Sequence, residues 1–201
     1  MKILYIIGMT GGISCGKSAV AETLRRRAGA TVLDIDKVTR WLLEPGGALF
    51  EIYIRHFGSK VITDEGFLDR RAIGEIIFNN PDERKWINSV AHPILLNHAR
   101  DFLVECSATG IRLVVLEVPL LFEAGWEHLF DEIWAVYTKR RLQVGRLMNR
   151  DKLTKEQALA RINAQMSREE ICSRADVVIR NVGKNFEIRQ QIFAALRGRT
   201  F

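Results

Sequence analysis

The chain has 201 residues, 47% of them hydrophobic, enough to bury one sizeable core with appendages. No apolar run approaches the length of a membrane span, and three widely spaced cysteines (Cys15, Cys106, Cys172) do not make a disulfide framework but fit a reducing, cytoplasmic compartment. The net charge of +6 suits an anionic partner, while no Cys/His cluster has the spacing of a structural zinc site. Met1-Lys2 and the apolar residues after it superficially resemble a signal peptide, but they run into a glycine loop instead of a small-residue cleavage site. Ile3 to Ile7 therefore reads as a buried first strand.

Gly11-Gly12-Ile13-Ser14-Cys15-Gly16-Lys17-Ser18 comes next and fits G-x-x-x-x-G-K-[ST], a phosphate-binding loop. After it, Ser18 to Arg27 carries Val20, Ala21 and Leu24 on one helical face. Strand, glycine loop and helix thus stand in the order that phosphate binding needs; the bland alternative is a tight strand-to-helix turn containing Lys-Ser. In the functional reading, the backbone of Gly11, Gly12, Ser14, Cys15, Gly16, Lys17, Ser18 and Ala19 cradles phosphate oxygens at a helix N-terminus. Lys17 reaches the β- and γ-phosphates, and the Ser18 hydroxyl is the candidate magnesium ligand. If the Cys15 side chain faces the phosphates, the same N–H groups and Lys17 should lower its pKa. If it faces away, Cys15 is only a tolerated small residue.

Thr31-Val32-Leu33 reads as a second strand ending in Asp34-Ile35-Asp36. Ligands of open α/β sheets bind beyond the carboxyl ends of the strands, which puts these acids close to whatever the loop holds. They could also cap a helix over Lys37 to Leu43. Pro45-Gly46-Gly47 ends that helix, and from Ala48 to about Cys106 the pattern is helical, an excursion between the second and third strands. Within it Asp69-Arg70-Arg71 opens a helix, His92-Pro93 interrupts one and Arg100-Asp101 lies further along; each alone reads as a helix-surface feature, and His92 is the best site candidate of the three.

Leu113 to Leu116 is a continuous apolar run, the third strand, ending at Glu117-Val118-Pro119. Leu120-Leu121-Phe122-Glu123 beyond it is either a packing plug or part of an acceptor pocket. Glu132 to Tyr137 is the fourth strand. From Lys139 to Lys155 seven basic residues face the single acid Asp151, a surplus equal to the net charge of +6. A nucleic-acid patch, a solvated helix face or a basic lid over a nucleotide would each explain that, and no interleaved aromatic platform supports the first. Arg146 and Arg150 share a helical face, and Thr154-Lys155-Glu156-Gln157 and Ser167-Arg168-Glu169-Glu170 have the capping-box pattern. Ala175 to Ile179 is a fifth strand, followed by a turn at Asn181-Val182-Gly183 and a closing helix from Glu187 to Leu196. Five strands separated by helices make a parallel α/β sheet flanked by helices.

Over essentially its whole length the chain resembles the dephospho-CoA kinase family. The family's T-G-G-I-x-x-G-K-S is Thr10 to Ser18, its D-x-D is Asp34-Ile35-Asp36, and its L-[ND]-R is Leu68-Asp69-Arg70. Its H-P-x-I begins at His92, its P-L-L-F-E is Pro119 to Glu123, and its R-x-x-x-R-D is Arg146 to Asp151. Its R-I-x-x-Q is Arg161 to Gln165, and its closing A-D-x-V-I-x-N-x-G is Ala175 to Gly183. Ser14, Cys15, Ile35 and Arg180 depart from the residues usual in the family, and none of these changes removes a group the chemistry needs.

The resemblance implies a P-loop kinase that moves the γ-phosphoryl of ATP, with Mg2+, to the ribose 3′-hydroxyl of dephospho-CoA, the last step of coenzyme A biosynthesis. It implies Lys17, Asp36, Arg146 and Arg150 as catalytic residues, with Asp36 taking the acceptor proton. It also implies Asp36, Arg70, His92, Leu121, Phe122, Glu123 and Arg161 as acceptor or phosphate contacts. The expected organisation is a core of about residues 1–40, 110–138 and 174–201, a helical acceptor-binding insertion of about 41–109 and a lid of about 139–173. The protein is expected to act as a monomer on small molecules, with neither nucleic acid nor membrane as partner. The alternative is another P-loop small-molecule or nucleoside monophosphate kinase.

Overall fold

The computed structural model describes residues 4–199, apart from the side chain of Phe78. Ile3 and the Met1-Lys2 lead lie outside the described residues. Five strands form one parallel sheet: β1 (Tyr5–Thr10), β2 (Thr31–Asp34), β3 (Leu113–Glu117), β4 (Glu132–Tyr137) and β5 (Val177–Arg180), in the order β2-β3-β1-β4-β5. The uninterrupted apolar run of the third strand has its reason here, since every residue of β3 is buried. Parallel pairing puts the carboxyl ends along one edge, where Asp34 stands in register with Glu117.

Helix α1 (Lys17–Ala28) starts directly from the glycine loop and buries Val20, Ala21 and Leu24. These pack with Ile7, Met9, Val115, Trp134 and Val136 of the sheet and with Ile188 and Ile192 of α9 (Asn185–Leu196) in the largest apolar cluster of this part of the chain. α6 (Arg140–Asp151) and α7 (Lys155–Asn163) bring together a second, smaller cluster of Val144, Leu147, Ala158 and Ile162. The capping box at Thr154 and Gln157 forms with both hydrogen bonds, and Ser167 Oγ accepts the Glu170 N–H at the start of α8 (Arg168–Arg174).

The chain divides into two compact units, one ending at Asp34 and resuming at Leu103, the other Ile35–Phe102. The second contains α2 (Ile35–Leu42), α3 (Ala48–Phe57) and α4 (Arg70–Asn79), where the Asp69 carboxylate caps α4 by accepting from the N–H groups of Arg71 and Ala72. His56 stacks on Trp86, and Tyr53 and Phe57 complete this aromatic cluster; burial pushes the Tyr53 hydroxyl up to about 12.

Two expectations need correction. α2 begins at Ile35, not Lys37, so strand passes straight into helix and Asp36 lies in the first helical turn, at the positive end of the helix dipole. His92-Pro93 does not interrupt a helix: α5 (Pro81–Ala108) runs through Pro93. Proline removes one backbone hydrogen bond, and burial of Ala91, Leu95, Ala99 and Leu103 along one face keeps the helix continuous around that gap.

Candidate active site

The glycine loop joins the end of β1 to the first turn of α1. Gly11 has φ 141, and a Cβ there would fall on the Val136 carbonyl oxygen. Gly16 has φ 90, and a Cβ there would fall on Asn181 Nδ2, so both ends of the motif need glycine. Between them Ser14, where glycine is usual in the family it resembles, adopts φ 58. A serine in this left-handed region costs about 1–2 kcal/mol. The Ser14 Oγ is buried with no hydrogen-bond partner among the described residues.

Lys17 Nζ donates to the carbonyl oxygens of Gly11 at 2.8 Å and Gly12 at 3.4 Å, so the ammonium is braced across its own loop. Ser18 Oγ donates to Glu117 Oε2 at 3.1 Å, joining the first turn of α1 to the end of β3. Glu117 is only 6% exposed. From α6, Arg146 donates to the Cys15 carbonyl and to Asn181 Oδ1, both at 3.4 Å. Asn181 is itself buried, and its Nδ2 donates to the Cys15 carbonyl at 3.1 Å. Thus Arg146 lies against the phosphate loop, whereas Arg150 and Arg161 converge on Asp151, at 2.7 Å and 3.2 Å.

Cys15 corrects one reading of its side chain. Cys15 lines a cavity of about 490 Å³ with Gly11, Gly12, Thr138, Gln143, Gln165 and Cys172. Burial pushes the Cys15 thiol up, and the opposing pull of Lys17, the Thr138 N–H and Arg146 does not overcome it. The expected lowering assumed a side chain facing the phosphates.

The other candidates fall out by element. Leu121 is fully buried and Phe122 is 6% exposed, beneath the Arg174 guanidinium at 4.2 Å, so these two act as the packing plug; Glu123 is exposed. In the second unit, Arg70 pairs with Glu44 at 2.6 Å and reaches the Arg40 carbonyl at 3.4 Å. His92 is partly buried within α5, and that burial lowers its pKa. The sequence reading did not single out Glu117 as a site residue, although the rule that selected the acids after the second strand applies equally to one at the end of the third. It also gives no site role to Gln143 or Asn181, which donate to the carbonyls of Ile13 and Cys15, 130 and 166 residues away.

Comparison with known proteins shows the family and the fold. The family model described as dephospho-CoA kinase matches residues 5–187. A dephospho-CoA kinase of Carboxydothermus hydrogenoformans is 42% identical over 98% of this chain and 95% of its own. A crystal structure from Thermus thermophilus superposes with a TM-score of 0.82 at 36% identity, covering 100% of both chains. That of dephospho-CoA kinase from Campylobacter jejuni does so with a TM-score of 0.67 at 29% identity, over 98% of this chain and 96% of its own.

Proposed function

The chain belongs to the dephospho-CoA kinase family and phosphorylates dephospho-CoA with ATP in coenzyme A biosynthesis; we propose that Lys17, Ser18, Asp36, Arg146 and Arg150 carry that transfer. The observation that carries the proposal is the part-buried Ser18–Glu117 contact beside a glycine loop braced by Lys17. Phosphoryl transfer asks a protein mainly to position the two reactants and to neutralise charge.

In this reading the loop amides hold the phosphates of ATP, and the unpartnered Ser14 hydroxyl offers one more donor. Lys17 exchanges its carbonyl partners for the β- and γ-phosphates, which present far stronger acceptors. Two hard oxygen donors, the Ser18 hydroxyl and the Glu117 carboxylate, fit Mg2+, which keeps several waters and phosphate oxygens as its remaining ligands. When bound, Mg2+ would supply charge neutralisation at the β- and γ-oxygens.

Asp36, two residues past the last residue of β2, would orient the ribose 3′-hydroxyl and take its proton. Arg146 already touches the loop, and Arg150 would turn from Asp151 to the transferring phosphoryl group, excluding water that would otherwise hydrolyse ATP. Arg70, His92, Glu123 and Arg161 are proposed as acceptor or phosphate contacts; Leu121 and Phe122 would serve the acceptor pocket only as its buried support.

An ADP-release assay over a panel of acceptors tests this. Dephospho-CoA should stimulate ATP turnover far above the acceptor-free rate, and adenylate, shikimate and thymidylate should not. Equal stimulation by one of those three, or none by dephospho-CoA, overturns the assignment.

A further inference from the structure

Ile13, in the phosphate loop, has both its backbone polar groups held by side chains of the segment that carries α6 and α7. Its N–H donates to Gln165 Oε1 at 2.7 Å, and its carbonyl accepts from Gln143 Nε2 at 2.9 Å. Gln143 is on α6 and Gln165 lies just past α7, so two separate segments hold the two successive peptide units that flank the Ile13 Cα. The Ile13 side chain packs against the apolar cluster formed by Val144, Leu147, Ala158 and Ile162, so this residue is anchored to α6 and α7 by side chain and backbone together. A Cβ on residue 12 would approach Gln143 Nε2 to 2.8 Å and Gln165 Oε1 to 3.7 Å, which shows how tightly the two amides close over the loop.

This grip has a specific consequence for the loop. An N–H that donates to Gln165 does not donate to phosphate, and the next residue, Ser14, is held at φ 58 with its Oγ unpartnered. Strained backbone persists only where its surroundings over-determine it. Fixing the peptide units on both sides of the Ile13 Cα sets the plane from which the chain must turn at Ser14. We propose that Gln143 and Gln165 are positioning residues for the phosphate loop: acting through the Ile13 peptide, they hold its donors in the phosphate-binding arrangement and make the loop's shape depend on α6 and α7.

The proposal rests on the loop being the ATP site. It predicts that one substitution has opposite outcomes at the two positions, because Gln165 is used as an acceptor and Gln143 as a donor. Gln165→Glu keeps an acceptor for the Ile13 N–H, whereas Gln143→Glu sets a carboxylate against the Ile13 carbonyl. Gln143→Met and Gln165→Met, close in volume and unable to make either bond, serve as the reference.

ATP KM and kcat are measured for the four variants together with ATP affinity by calorimetry, after thermal melts confirm a cooperative fold. Gln165→Met should raise the ATP KM about tenfold, a loss of one well-formed backbone bond in a strained loop, and Gln165→Glu should recover most of that loss. Gln143→Glu should be at least as impaired as Gln143→Met. Equal impairment of both Gln165 variants, or a Gln143→Glu variant that outperforms Gln143→Met, overturns the clamp, as does ATP binding that is unchanged in all four. Should one methionine variant fail to fold, the Glu variants of the two positions still give a direct comparison. A wild-type protein that binds no ATP would instead sink the site assignment and leave the clamp without a ligand.

Discussion

The Ser18 hydroxyl donates to Glu117 Oε2 at 3.1 Å across 99 positions of sequence, so the serine proposed as a Mg2+ ligand has a buried carboxylate as its partner. Groups beside a metal ligand orient it, and their loss typically costs about 10- to 100-fold in metal affinity or activity. Glu117→Gln should therefore raise the Mg2+ concentration giving half-maximal rate by about that factor, while the ATP affinity measured without Mg2+ changes little. An unchanged Mg2+ midpoint would leave Glu117 as no more than a partner for Ser18.

Asp36→Asn should lower kcat by about two to four orders of magnitude with little effect on ATP binding, the usual cost of losing a general base. Asp34 is in register with Glu117 at the sheet edge, so Asp34→Asn should cost less in kcat and act on the Mg2+ dependence instead. Steady-state kinetics at saturating and limiting Mg2+ separate the two. The reverse ranking would mean that Asp34, not Asp36, takes the proton.

Burial pushes up the thiols of both Cys15 and Cys172, but Cys15 is buried whereas Cys172 is partly exposed and open to reagent. Raising a thiol pKa leaves less thiolate at any given pH, and thiolate is the reactive form. Iodoacetamide at pH 8 should accordingly label Cys172 first, with Cys15 lagging, as read by peptide mass mapping over time. Faster labelling at Cys15 would place its sulfur toward the phosphates after all.

His92 titrates with the fold. Burial lowers its folded pKa below the ordinary 6.5, so the unfolded chain binds the proton more readily. The neutral imidazole's contribution is complete above pH 6.5 and is lost as pH falls through 6.5 toward the lowered value. The thermal midpoint of wild type should drop between pH 7 and pH 5, and His92→Gln should flatten part of that drop. Parallel pH profiles for the two proteins would assign the acid sensitivity to other groups.

What was legible in the sequence was what depends on neighbours along the chain. The apolar run of Leu113 to Leu116 could only be a buried strand, and the glycines, Lys17 and Ser18 announce a phosphate loop because its geometry is closed within eight residues. Thr154 and Gln157 form their capping box for the same reason: three residues of helix bring the partners together. His92-Pro93 shows the limit of local reasoning, since burial along the same face of α5 on either side kept the helix intact through a residue that usually ends one.

The tertiary structure alone decided which distant residues meet. The strand order β2-β3-β1-β4-β5 carries Glu117 to Ser18, and no local pattern encodes that order. The burial that pushes the Cys15 thiol up comes from its folded surroundings, among them Thr138 and Gln143, more than a hundred residues downstream. The two glutamines that hold Ile13 are separated from it by 130 and 152 positions. A side-chain amide gives no periodic signal of its own, and its partner is chosen only when packing of α6 and α7 places it within hydrogen-bonding reach.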